Sequence, residues 1–346
     1  MPCLSAFQPF LYVTTRVARC RLYTLFLAGI TALIMPLSSF AAQIAVIESY
    51  HPEYEWDAQY LKAIDDSLGK IHQIQTYSLD TKRLTKDNWP IRAQQILERV
   101  KAQKPAVALI GDDNALELMG ESLQALGIPI VFLGINGGPE QHPVLLKKGV
   151  TGVQERPFFD QSIRHIRKMV SNPDRFLILA DDSPTMRSTI QERFGDQRKE
   201  TIHGSEVDIL LTNDRDTWLN AITNGKSNGY AAVIVGTYHT IRDGQGVRAD
   251  PTDLMQMAHS SSSLPIFALW DVFIGKGKAA GGFTVSAYNE GRHAARLVKL
   301  LLNGTAIDKL PHTQSQKGEH VYSESGLQHW NLHLSTLDAS QTRFKD

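Results

Sequence analysis

Four ring side chains, Tyr50, His51, Tyr54 and Trp56, fall within seven consecutive residues of the stretch IESYHPEYEWDA at 47–58, in a chain only 8% aromatic. Glu48, Glu53, Glu55 and Asp57 are interleaved with them. Rings supply rigid contact area at little entropic cost, and carboxylates and amides orient a polar solute. Comparable groups recur along the chain: Asp112, Asp113 and Asn114 in GDDN, Asn136 in GINGGP, Asp181, Asp182 and Ser183 in ADDS, Tyr238 and His239 in GTYHT, and Asp271 in LWDVF. Each has a plainer use. A loop aspartate such as Asp113 or Asp181 commonly caps a helix, and an asparagine in a Gly-rich turn tolerates unusual backbone angles. Trp56 and Tyr54 could simply pack, and Glu53 and Glu55 favour a helix N-terminus. The signal is their concentration at the ends of apolar runs.

Those runs predict the elements that must position the site. Short buried strands are expected at 43–49, 74–79, 106–111 and 128–134, with helices at 56–69, 87–103 and 114–126 between them. The rhythm restarts at 151–155, with strands at 176–180, 207–211, 231–236 and 265–269 and helices at 158–170, 184–194 and 286–304. Strands alternating with helices of this length make right-handed βαβ units around a mainly parallel sheet. The fold class is therefore α/β, with two doubly wound parallel-sheet lobes. In open parallel sheets, ligands bind beyond the carboxyl ends of the strands. That rule selects the loops at 48–56, 111–114, 134–138, 180–185, 236–240 and 270–282, where the aromatic and polar groups lie. Two facing lobes lined in this way make a cleft for a small molecule.

Composition narrows the function classes. At 346 residues the chain favours two domains, and 42% hydrophobic with 21% charged residues is ordinary for a globular protein. A net charge of zero lacks the footprint of a nucleic-acid binder. Residues 1–41 read as a signal peptide: Arg16, Arg19 and Arg21 precede an apolar core, and Ser39-Phe40-Ala41 offers small residues for cleavage. Its removal would leave 33 basic against 36 acidic residues and would take both cysteines, Cys3 and Cys20. The expected product is periplasmic, free of thiol chemistry and without a lipid anchor. No nucleophile elbow, zinc-protease helix or phosphate loop occurs. GKGKAAGG at 275–282 lacks the phosphate-loop spacing and reads as a hinge or turn, and the pair His329 and His333 is weak evidence for a metal. No cofactor and no enzymatic activity is implied.

The pieces IESYHPEYEW, GDDNALEL, IPIVFLGINGG, TGVQE, ILADDSPTMRS and GGFTVSAYNEGRHAARLVKLLLNG, in this order, resemble the substrate-binding proteins of ABC transporters with a type I periplasmic-binding fold. The SYHP…W variety resembles sensor-associated relatives. The resemblance covers roughly 43–332 and implies a clamshell: lobe one at 42–150 completed by about 283–309, lobe two at 151–282 completed by about 310–335, and a tail at 336–346. Hinge crossings are implied near 151–154, 281–284 and 310–318. It also implies a receptor that captures a small molecule and presents its closed form to a membrane permease; a monomer is the default expectation. The alternative is a membrane sensor protein, a histidine kinase or diguanylate cyclase. The ligand contacts it implies, with the ring loop added, are Tyr50, His51, Trp56, Asp113, Asn114, Asn136, Glu155, Ser183, Tyr238 and Asp271. The bulky Tyr50-His51-Pro52 departs from the small residues of amino-acid binders. With Asp113 and Asp271 near the cleft, an amino acid or other amino-bearing solute is slightly favoured, while Arg156, Arg187 and Arg242 could equally meet an anion.

Overall fold

The computed structural model describes residues 41–335 and 339–346. The presequence expected at 1–41 lies, but for its last residue, outside them. Six strands form a wholly parallel first sheet in the order β12-β5-β4-β3-β1-β2. These are β1 (Gln43–Glu48), β2 (Gln73–Ser78), β3 (Val107–Gly111), β4 (Ile130–Ile135), β5 (Val150–Gln154) and β12 (Thr313–Gln314). Between them run α1 (Glu55–Ile64), α2 (Trp89–Gln103) and α3 (Asp113–Ala125). β1, β3 and β4 are buried along nearly their whole length, as strands covered by helices on both faces must be.

Eight strands form the second sheet, in the order β14-β13-β11-β10-β9-β6-β8-β7. They are β6 (Arg175–Ala180), β7 (Lys199–Ile202), β8 (Ser205–Leu211), β9 (Ala232–Val235), β10 (Ile266–Ala268), β11 (Gly281–Thr284), β13 (Glu319–Tyr322) and β14 (Thr342–Phe344). Only the β7–β8 and β11–β13 pairs are antiparallel. α4 (Phe159–Ile166) leads into β6, and α5 (Pro184–Phe194), α6 (Arg215–Thr223) and α7 (Pro251–Ser261) follow β6, β8 and β9. α8 (Ala287–Leu302) and α9 (Glu324–His329) come later in the chain. The expected two doubly wound lobes are the observed architecture.

Helix starts follow the capping residues. Ser183, Asp250, Ser286 and Ser323 accept backbone N–H bonds from the first turns of α5, α7, α8 and α9. α2 begins two residues later than expected because Pro90 is tolerated only in a first turn. α4 ends at Ile166 rather than 170, where turns lead towards Pro173. Only β8 of the β7–β8 hairpin has an apolar run to announce it, since β7 has none. His203 and Gly204 turn it with φ of 48° and 84°, both in the left-handed region that two-residue hairpins require.

Three boundaries move. β5 and β12 belong to the first sheet, so the chain crosses between lobes after each strand rather than within it, at 155–158, 285–286 and 315–318. The segment at 336–346 is more than a tail, since β14 pairs in parallel with β13. GKGKAAGG ends inside β11, where the Tyr322 ring occupies the space a side chain at Gly281 would need.

α8 crosses back to pack on α1. A Cβ at Gly291 would stand 2.7 Å from the Tyr60 carbonyl oxygen and 3.0 Å from the Ala63 Cβ. Glycine is required there by close helix approach. Gly291→Ala is expected to lower stability in urea unfolding by at least about 1 kcal/mol, the cost of forcing packed helices apart. An unchanged midpoint would detach α8 from the first lobe.

Candidate functional site

A cavity of about 850 Å³ lies between the two halves, lined by the loops that follow β1 to β4, β6, β9 and β10. Its first wall is tied together by backbone-directed bonds. The Ser49 hydroxyl donates to the Gly111 carbonyl at 2.8 Å and accepts from the Ala115 N–H at 2.7 Å, fastening the end of β1 to the start of α3. Thr81 donates to the Ser49 carbonyl at 2.8 Å, and the Asn114 amide donates to Thr81 at 2.9 Å. Asn114 therefore lines the cavity while bracing the loop beneath it.

Asp112 caps α3 with φ 72° and ψ 162°, a conformation L-residues rarely take. Its carboxylate holds it there, accepting from the Asp113 N–H at 2.8 Å and the Tyr50 hydroxyl at 2.9 Å. Strain of this kind persists only where the surroundings over-determine it. Burial, with Asp113 adjacent, pushes the Asp112 carboxyl up to about 7. Asp113 does not cap a helix. One of its oxygens accepts from the Gly137 N–H at 2.8 Å and meets His142 Nε2 at 2.7 Å; the other accepts from the Asn136 N–H at 3.0 Å.

The rings form a continuous group. Tyr50 meets Tyr54 edge to face at 5.1 Å, and Tyr54 meets His239 of the opposite lobe at 5.9 Å. Trp56 is 4% exposed, packed at the start of α1, yet its indole N–H has no hydrogen-bond partner among the described residues. Opposite it, Gly134 has φ 69°, and a side chain there would lie 3.5 Å from Trp56 Nε1 and 3.6 Å from Glu155 Oε2. Glycine leaves the small space beside both groups unfilled. Glu155, at the first crossing, accepts from Trp270 Nε1 at 2.6 Å and from the Asn136 amide at 3.4 Å. Burial, reinforced by Asp112, holds its carboxyl well above the ordinary range.

The second wall is built on β6 and β9. Asp181 is not a cap either: its two oxygens accept from the Thr237 hydroxyl at 2.5 Å and the Thr240 N–H at 3.0 Å. Ser183 caps α5 and lines the cavity. The lobes also touch directly. Thr189 donates to Asn136 Oδ1 at 3.3 Å, Ser188 donates to Gln141 Oε1 at 3.0 Å, and Lys345 and Lys278 both reach Glu55.

Of the ten residues expected in the site, Tyr50, Trp56, Asp113, Asn114, Asn136, Glu155 and Ser183 line the cavity. Three do not. His51 turns outward to Glu53 at 3.0 Å and Arg83 at 2.9 Å. Tyr238 lies behind His239, stacked at 5.4 Å and packed against Trp218 and Phe273. Asp271 is fully buried and paired with Arg343 on β14 at 2.6 Å. Tyr54, one of the four rings but not among the expected contacts, also lines the cavity, as do Lys82, Arg248 and Phe273, which had not been singled out. Lys82 follows β2, and the strand-end rule applied to that strand would have found it. Nothing local marks Arg248, which a long excursion after β9 brings to the mouth.

No family model matches the chain, and no curated protein matches it. Solved structures do. The ABC domain in complex with L-Trp from Streptococcus pneumonia has a TM-score of 0.60 at 13% identity, over 88% of this chain and 100% of that one. The ligand-free, open structure of CD0873, a substrate binding protein with adhesive properties from Clostridium difficile, has a TM-score of 0.61 at 12% identity over the same shares. A carbohydrate transporter solute binding protein from Agrobacterium radiobacter, in complex with D-arabinose, has a TM-score of 0.51 at 15% identity, covering 87% and 98%. At these identities the likeness establishes the fold, the two-lobed architecture of type I periplasmic binding proteins.

Proposed function

We propose that this chain is a periplasmic solute-binding receptor that captures a small molecule between its lobes and presents the closed form to an ABC permease, making and breaking no bond. The observation that carries this reading is the aromatic-lined cavity between the ends of both sheets, lined in part by Trp56, whose buried N–H has no partner among the described residues. A solute touching both walls favours the closed arrangement, because only that state offers it both sets of contacts. Tyr50, Trp56, Asp113, Asn114, Asn136, Glu155 and Ser183 are the proposed contacts from the expected set, joined by Tyr54 and His239. Residues 1–41 serve as the export signal in this reading.

The test is a thermal-shift screen of the exported protein, stripped of ligand by unfolding and refolding, against amino acids, polyamines, nucleosides, sugars and small organic acids. A solute at about 100 times its Kd stabilises the fold by about 2.7 kcal/mol, a readily measured rise in Tm. A hit supports the receptor; a broad screen with no shift overturns it. Co-purification of the loaded protein with a permease, rather than with a membrane kinase or diguanylate cyclase, separates delivery from sensing.

A further inference from the structure

The charged groups of the cavity divide by whether their bonding capacity is already used. Asp113 and Asp181 have both oxygens engaged by the protein. Asp112 and Glu155 are pushed towards the protonated form by burial. Asp271, which had favoured an amino-bearing solute, faces Arg343 instead of the cavity. Apart from the exposed Glu117, the acids lining the cavity are therefore committed to protein partners or pushed towards the neutral form.

The cations are not. The Lys82 ammonium sits over the faces of Tyr50 and Tyr54, 3.9 and 4.3 Å from the ring centroids. It makes no ion pair and no hydrogen bond among the described residues. Ring faces hold a cation by their quadrupole without neutralising it, so the charge stays available to the cavity. Arg248, on the opposite lobe at the cavity mouth, bonds only the His239 carbonyl, through Nε at 2.6 Å, and leaves the rest of its planar fork open. Forks of this kind match oxyanions. Positive potential gathers at this end of the cavity. Burial first, then Lys82, Arg248 and Lys278, hold the His239 imidazole well below its ordinary range.

We propose that Lys82 and Arg248, one from each lobe, form an anion subsite, so that the captured solute carries a carboxylate or comparable oxyanion that bridges the lobes on closure. This rests on the receptor reading and names the charge of its ligand. An anion held by both cations interacts with the closed state and loses one partner in the open one. That difference biases the equilibrium towards closure. Lys82 also titrates with binding. In the empty site burial brings its ammonium down to about 8, with Arg248 adding to the fall and Asp112, Asp57 and Asp181 opposing it. A bound anion raises it again, so binding above about pH 8 takes up protons.

The experiment uses the exported protein and three charge-matched sets of probes. Benzoate, phenylacetate and indoleacetate are compared with benzylamine, phenethylamine and tryptamine and with the corresponding neutral alcohols, by thermal shift and then calorimetry. Phenylalanine and tryptophan, which carry both charges, are run beside them. The expected result is stabilisation by the probes that carry a carboxylate. Lys82→Gln weakens their binding about ten- to a hundredfold, Lys82→Arg restores much of it, and the exposed Arg248→Gln weakens it about tenfold. Proton uptake, read from the dependence of binding heat on buffer, disappears in Lys82→Gln. Stabilisation by amines or alcohols alone, or carboxylate binding indifferent to Lys82→Gln, overturns the anion subsite and leaves the receptor standing. A large loss of stability in unliganded Lys82→Gln, with binding retained, makes Lys82 a strut and overturns it too. Silence from all sets, in a protein that also fails the broad screen, removes the receptor and this inference together.

Discussion

Trp56→Ala will cost the fold about 3–5 kcal/mol and abolish solute capture, whereas Trp56→Phe will keep the fold and lose about tenfold in affinity. The two variants separate roles that one side chain combines. Trp56 is 4% exposed among the first lobe's core residues, and removing its ring leaves a cavity of the kind that makes aromatic truncations expensive. Phenylalanine keeps most of that volume and deletes the indole N–H alone, the buried donor that faces the space beside Gly134 without a partner. A donor of this kind loses its hydration in the empty protein and recovers a bond when solute arrives, a difference of about 1 kcal/mol. Urea unfolding measures the first effect and calorimetry with a screened solute the second. If the phenylalanine variant binds as tightly as the parent, the indole N–H is not a contact, and the ring returns to packing.

Arg343→Met will destabilise the protein by about 2 kcal/mol near pH 8 and by much less near pH 5. Asp271 is fully buried, with one carboxyl oxygen on Arg343 and the other without a partner. Removing one member of such a pair leaves an uncompensated buried charge, commonly a loss of about 3–5 kcal/mol. The Arg343 side chain is 43% exposed, which brings the expectation to the lower side. The pH dependence follows from burial, which raises the Asp271 carboxyl to about 6 even with Arg343 and Lys345 opposing it. A carboxyl whose folded pKa lies above its unfolded value lends stability below the unfolded pKa and loses it as pH rises through the folded one. Without Arg343 that pKa climbs further, so the variant's deficit opens between about pH 5 and 8. Adding Asp271→Asn should close it. A deficit equal at both pH values would assign the loss to β14 pairing instead of the charge.

Most of the architecture was legible in the residues themselves. β1, β3, β4, β6 and β9 are apolar runs with almost no alternation, a pattern that arises only where helices cover both faces of a parallel sheet. Local chemistry marked the starts of α5 and α8, because a capping serine acts on N–H groups only a few residues away. The strand-end rule likewise located the loops that hold Tyr50, Trp56, Asp113, Asn114, Asn136 and Ser183 against the cavity, while Glu155 was implied only by the family resemblance.

What the residues could not determine is which groups arrive there unsatisfied. Asp271 and Asp113 are equally acidic loop residues in the sequence. Only β14, paired some 70 positions downstream, gives Asp271 to Arg343, and only the 3₁₀ turn (Pro143–Leu146) following His142 brings that ring to Asp113. Tyr238 and His239 are adjacent and stacked, yet Tyr238 is buried in the core and His239 lines the cavity. Lys82 and Arg248 lie 166 positions apart and gain a shared role only when two lobes face each other. Backbone preferences and apolar periodicity are short-range and can be read along the chain. The pairing of charges depends on distances that exist only after folding, so the chemistry of this cavity was decided by the tertiary structure.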